Sequence, residues 1–152
     1  MIDARLDLKR RERLGMVEAV WGEHKTAEQI IAILERFSAA DELGLVTRVS
    51  PEKADAVLAA LPAVEAHADA RCLTFGKLPA LPPGPPPVAV LSGGSSDRSV
   101  VAETTLALRC HGIAVDSVMD VGVAGLHRLL DQLPRLESAV VLIACAGMEG
   151  AL

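Results

Sequence analysis

Apolar residues along this chain recur either at helical spacing or in short unbroken runs, and the two kinds of segment alternate. Ala4 to Leu14 reads as a polar helix ended by Gly15, and Met16 to Trp21 as a strand closed by Gly22. Thr26 then caps a helix from Ala27 to Phe37, in which Ile30, Ile31, Ile33, Leu34 and Phe37 share one broad face and Glu28, Gln29, Glu35 and Arg36 lie outside it. That face requires a partner. Gly44 ends the segment, Leu45 to Val49 predicts a strand, and Ser50-Pro51 opens a helix that runs to about Leu61, since proline suits the first helical position. Val64 to Phe75 alternates loosely and is expected to hold one further strand.

Six prolines fall between Pro79 and Pro87. Proline lacks an amide hydrogen and fixes φ, so this stretch favours extended polyproline II and reads as a linker, 79–87, between a small α/β unit, 1–78, and a second unit, 88–152. The second unit repeats an apolar strand, a glycine turn and a helix. Val88 to Leu91 leads through Ser92-Gly93-Gly94-Ser95-Ser96-Asp97 to a helix over Ser99 to Cys110. Ala114 to Met119 leads through Asp120-Val121-Gly122-Val123-Ala124-Gly125 to a helix over Leu126 to Leu133. Ala139 to Ala144 leads to Ala146-Gly147-Met148-Glu149-Gly150-Ala151-Leu152. Such alternation predicts a parallel sheet with right-handed crossovers, here an incomplete, Rossmann-like three-layer α/β domain. All three glycine turns then lie at strand carboxyl ends, where open α/β folds bind ligands.

Two adjacent glycines let the backbone take unusual conformations, and free amides at a helix start attract an anion, usually phosphate. Ser92, Ser95 and Ser96 add hydroxyl donors, and Asp97 adds a carboxylate suited to a ribose or a protonated base. The plainer alternative is that Ser96 or Asp97 only caps the helix and the glycines only make a tight turn.

Composition narrows the classes. Hydrophobic residues make up 51% of 152 residues, with no Tyr, two Phe and one Trp, so the core is aliphatic. A net charge of -5 argues against general attraction to nucleic acid or to an anionic membrane, and no apolar run is long enough to span one. The basic residues Lys9, Arg10, Arg11 and Arg13 are interleaved with acids and no apolar signal core follows, so a cytoplasmic location is expected. Cys72, Cys110 and Cys145 are far apart and read as buried thiols. The four histidines form no ligand cluster, so no metal site is expected.

The serine turn, the run Asp120-Val121-Gly122-Val123-Ala124-Gly125-Leu126-His127-Arg128-Leu129-Leu130 and the segment Ala146 to Leu152 resemble the core motifs of the LarB family of nickel-pincer nucleotide cofactor biosynthesis proteins. That family is itself similar to the PurE class of aminoimidazole ribonucleotide carboxylases and mutases. Gly15, Glu18, Gly22, Lys25, Thr26, Glu28, Gln29, Thr47 and Arg48 follow the LarB amino-terminal pattern, which PurE enzymes lack. One departure is Arg98-Ser99, where the family has an apolar residue and proline.

The resemblance implies carboxylation of the pyridinium ring of nicotinic acid adenine dinucleotide by carbon dioxide or bicarbonate. Hydrolysis of the phosphoanhydride accompanies it, giving a biscarboxylated pyridinium mononucleotide and AMP, with no bound cofactor. On that reading Glu149 is the candidate general base and Asp97 its catalytic companion. Ser92, Gly94, Ser95, Ser96, Asp120, Gly122, Gly125, His127, Arg128 and Gly147 are candidates for holding substrate and phosphate. Glu149 also reads as a solvated loop carboxylate, Arg128 as a helix-surface ion pair, His127 as a partly buried, satisfied side chain, and Asp120 as a brace for its turn. Cys145, at the inner end of an apolar strand, is excluded as a nucleophile. The family's covalent cysteine is expected downstream of Leu152, so this chain is expected to be an inactive piece of the enzyme, molten or homo-oligomeric. A PurE-type mutase and a non-catalytic nucleotide-binding fragment are the alternatives.

Overall fold

A computed structural model describes residues 5–152. The chain forms two compact units, Met1–Leu78 and Pro79–Leu152. Among the described residues no helix is long and apolar enough to cross a membrane.

Unit 1 begins with a short helix, α1 (Arg10–Leu14), ended by Gly15 in the left-handed conformation. The expected helix from Ala4 is shorter than its pattern suggests: Ala4 lies outside the described residues, and the Asp7 amide donates to the Glu18 carboxylate rather than along a helix. Strand β1 (Ala19–Trp21) is followed by α2 (Ala27–Ala39), β2 (Gly44–Thr47), α3 (Pro51–Ala60), β3 (Val64–His67) and β4 (Cys72–Phe75). Thr26 caps α2 reciprocally: its hydroxyl accepts the Gln29 amide at 3.3 Å and the Gln29 side chain accepts the Thr26 amide at 3.0 Å. The sheet runs β1-β2-β4-β3, with β1 and β2 parallel and the other pairs antiparallel.

The segment expected as one strand over Val64 to Phe75 is a hairpin. Its turn contains no glycine or proline; instead Arg71 takes a positive φ of 52° and the Ala70 amide bonds back to His67. Val20, Val46 and Leu73 stand side by side in register across β1, β2 and β4. On that row lie Ile30, Ile33, Leu34 and Phe37 of α2 and Val57 of α3, all buried. Gly44 is required by this closeness, because a Cβ there would sit 2.7 Å from the Leu34 Cδ2 atom.

Unit 2 contains β5 (Val88–Ser92), α4 (Arg98–Cys110), β6 (Val115–Val118), α5 (Leu126–Leu130), α6 (Leu133–Leu136) and β7 (Val141–Cys145). The all-parallel sheet has the order β6-β5-β7. Central β5 is buried along its whole length, and its side chains alternate between two cores. Val88 and Val90 meet Val101 of α4 and Cys145, while Ala89 and Leu91 meet Val118, Val121 and Leu136 of α6. Helices therefore cover both faces, and this is a PurE-like, Rossmann-like α/β arrangement.

The expected helix Leu126 to Leu133 is split. Pro134 has no amide to continue a helix, so the chain turns after Leu130 and restarts at Leu133. Arg135 of α6 holds the Asp116 carboxylate through its Nε atom at 2.6 Å, tying that helix to β6. Cys72, Cys110 and Cys145 are buried thiols outside any disulfide, and burial pushes the Cys110 thiol up to about 11.

Candidate functional site

The strand order β6-β5-β7 makes the chain leave β5 toward one side and return on the other. The carboxyl ends of β5 and β7 therefore flank a topological switch point, the usual ligand crevice of open α/β sheets. The turn after β5 runs into a single tight helical turn, Ser95–Asp97, that leads directly into α4. The Asp97 carboxylate reaches back and accepts the Gly94 amide at 2.9 Å, so Asp97 shapes the turn from within rather than capping α4 by its side chain. Ser95 and Ser96 are exposed, and among the described residues their amides and hydroxyls engage no protein partner. These four groups are the ones an anion would meet.

Ser92 behaves differently from its two neighbours. It is fully buried, and its hydroxyl accepts the Asp120 amide at 2.8 Å while its carbonyl accepts the Val121 amide at 2.9 Å. Ser92 is thus a brace between the first and second turns, and its hydroxyl is not presented to a ligand. Gly122 continues the link: its amide donates to the Gly93 carbonyl at 3.0 Å, and a Cβ on Gly122 would lie 2.4 Å from that same oxygen. No side chain fits there.

The second turn starts at Asp120, which holds a positive φ of 59°. Its carboxylate pairs with the Arg128 guanidinium, and Arg128 lies so close over Gly125 that a Cβ there would clash with Nε at 2.4 Å. Arg128 is therefore engaged within its own turn. His127 is exposed on α5. The third turn follows β7, and the Gly93 amide donates to the Cys145 carbonyl at 3.0 Å. A Cβ on Gly147 would come within 4.0 Å of the Asp97 Oδ1 atom, and one on Gly93 within 3.4 Å of the Ala151 carbonyl. Glu149 is exposed, holds a positive φ of 55°, and accepts no hydrogen bond from any described residue. Such a backbone costs on the order of 1 to 3 kcal/mol in a non-glycine residue.

The structure thus brings Gly93, Gly94, Asp97, Gly122, Gly147 and Ala151 together at one sheet edge, with Ser95, Ser96 and Glu149 exposed in the same three turns. His127 and Arg128 stand one helical turn further on. Sequence patterning passed over a second cluster, in unit 1. Trp21 ends β1, Arg48 follows β2, and the two meet in a cation–π contact of 5.9 Å at the carboxyl ends of a parallel strand pair. The signal available was a lone tryptophan ending a strand just before Gly22. Among the described residues no group of three or more His, Cys, Asp or Glu side chains is arranged to hold a metal ion.

A parallel α/β sheet whose glycine turns converge at strand carboxyl ends defines a protein of the Rossmann-like α/β class. Residues 1–77 match the family described as the LarB/PurE-like N-terminal domain. The chain belongs to the LarB/PurE-like family. It is also similar to an uncharacterized protein of Methanocaldococcus jannaschii, 29% identical over 155 aligned positions that cover 97% of this chain and 60% of that protein. The chain therefore spans about three fifths of the length of this curated relative.

Proposed function

We propose that this chain binds nicotinic acid adenine dinucleotide at the three convergent turns of unit 2, for carboxylation of the pyridinium ring and hydrolysis of the phosphoanhydride. The observation that carries the reading is the pair of exposed serines with free amides at the start of α4, held rigidly by the Asp97 to Gly94 bond. A diphosphate fits that set of donors. In the reaction a carbon–carbon bond forms between the ring and carbon dioxide, and the ring proton leaves to a base. Water supplies the oxygen that separates the mononucleotide from AMP. Glu149 is assigned as that base because its carboxylate is exposed, unpartnered among the described residues and held by a strained backbone in the third turn. Asp97 orients the first turn and faces the third. Carbon dioxide or bicarbonate is the co-substrate, no bound cofactor is invoked, and assembly is as a homo-oligomer.

The test is calorimetric titration of the chain with nicotinic acid adenine dinucleotide. Saturable binding that disappears in the Ser95→Ala, Ser96→Ala double variant supports the reading. Equal binding by both proteins removes the serine turn from the site. Preferential binding of aminoimidazole ribonucleotide would favour a PurE-type activity instead.

A further inference from the structure

Three cationic side chains gather where the parallel strands β1 and β2 end. The Lys25 ammonium donates to the Trp21 carbonyl at 3.2 Å. The Lys53 ammonium donates to the carbonyls of Gly22 and Glu23 at 3.2 and 2.7 Å. Arg48 lies over the Trp21 ring and holds a positive φ of 54°. Neither lysine has a carboxylate partner among the described residues. The single acid inside the cluster is Glu23, 3.8 Å from the Arg48 guanidinium and bonded to the Trp21 indole N–H at 3.0 Å.

The acids on the neighbouring helix starts stay ionised and are held at their own caps. The Glu28 carboxyl is lowered from its ordinary range by the Thr26 hydroxyl and then by its own amide. The Glu52 carboxyl is lowered by its own amide and then by the Ser50 hydroxyl. Among the groups in mutual contact, one carboxylate meets three cations, a local positive excess in a chain whose net charge is -5.

Trp21 supplies the second half of the argument. Half of its surface is open to solvent, although it is the chain's sole tryptophan and could have joined an aliphatic core. Its one polar atom is already satisfied by Glu23, and the His24 ring meets it edge-on at 4.9 Å. What remains is an apolar face beside ammonium groups, which suits a flat ring carrying an anion. The backbone is built to allow this: a Cβ on Gly22 would sit 2.9 Å from Val46 Cγ1 and 3.0 Å from the Thr47 carbonyl, so β1 and β2 finish in close contact.

We infer that Trp21, Lys25, Arg48 and Lys53 form a binding site for a purine mononucleotide, its ring stacked on Trp21 and its phosphate held by the cations. This site stands on unit 1 alone and does not depend on the reading of unit 2.

Because Trp21 is the sole tryptophan, its fluorescence reports the site directly. The whole chain is titrated with AMP, with adenosine and with ribose 5-phosphate. AMP is expected to quench saturably, with a half-saturation at least about tenfold below that of either fragment, as ring stacking and charge-assisted bonds each contribute. Lys25→Ala and Arg48→Gly, the latter matched to the positive φ, should each raise that half-saturation about tenfold while the urea midpoint stays near wild type. The Ser95→Ala, Ser96→Ala variant should quench as wild type does. Absence of saturable quenching, equal response to adenosine and AMP, or unchanged affinity in both unit 1 variants overturns the inference. Loss of quenching in the double serine variant also overturns it, by assigning the signal to the other turn.

Discussion

Both units gather their candidate binding residues at the carboxyl ends of parallel strands, and they differ in how they finish their sheets. Unit 1 is bounded by β1, only three residues long, and by β3, which carries Glu65 at its exposed edge. Short and charged edges resist pairing with other strands. Its ten-residue buried cluster is dominated by large side chains, and Leu43, Leu45, Ala70 and Cys72 are buried outside it. Unit 2 divides its buried residues between two smaller clusters on opposite faces of the sheet, and its outer strand β7 exposes Val141 and Leu142, next to Val140 at 83%. Unit 1 exposes one aromatic ring beside its cations, whereas unit 2 exposes aliphatic side chains on an outer strand.

The largest effect should separate the units by chemistry. In a family-length chain, Glu149→Gln is expected to lower carboxylation by about 100-fold to 10,000-fold while leaving dinucleotide affinity unchanged. A rate near wild type would take the base role from unit 2. Next in size, Phe37→Ala in the ten-residue cluster of unit 1 should cost about 3 to 5 kcal/mol, read from urea unfolding by Trp21 fluorescence. An unmoved midpoint would contradict the picture of one tightly filled cluster. Ser95→Ala with Ser96→Ala should weaken nucleotide binding by up to a few kcal/mol, as about 1.5 to 3 kcal/mol is typical of each hydrogen bond to a charged group.

A smaller effect distinguishes the buried thiol of α4. The folded-state pKa of Cys110 is raised from 9.0 to about 11, so the fold prefers the neutral thiol; that contribution is complete below pH 9.0 and is lost as pH rises through about 11. Cys110→Ala should flatten this alkaline decline even though it lowers stability at neutral pH, and an identical slope in both proteins would refute the assignment. Least in stability, Leu142→Lys on the outer strand should shift the unfolding free energy by no more than about 0.5 kcal/mol, yet reduce self-association in sedimentation velocity. Unchanged sedimentation would show that β7 is not where copies of the chain meet.

Much of this protein was legible from residue order alone. The apolar stripe of α2, the Thr26 and Ser50 caps, the apolar runs of β5 and β7 and the glycine turns are local signals, each written within a few residues. Their grammar was enough for a mixed α/β fold with parallel strands, and the motifs were enough for the family. The hairpin of β3 and β4 was not legible, since its turn relies on Arg71 at positive φ rather than on glycine or proline, and the break at Leu130 was missed beside Pro134.

Only tertiary structure decided what each candidate side chain is free to do. Ser92, Ser95 and Ser96 look alike in sequence, yet the parallel pairing of β5 with β6 turns Ser92 inward onto the Asp120 amide and leaves the other two exposed. Asp120 and Arg128 satisfy each other across a turn. Trp21 and Arg48, 27 positions apart by number, meet because β1 and β2 run parallel and end together. Local sequence determines which strands and turns form because backbone conformation depends on near neighbours. Which hydroxyl is buried, which charge is paired and which ring is exposed depends on contacts between distant segments, and only the packed sheet makes them.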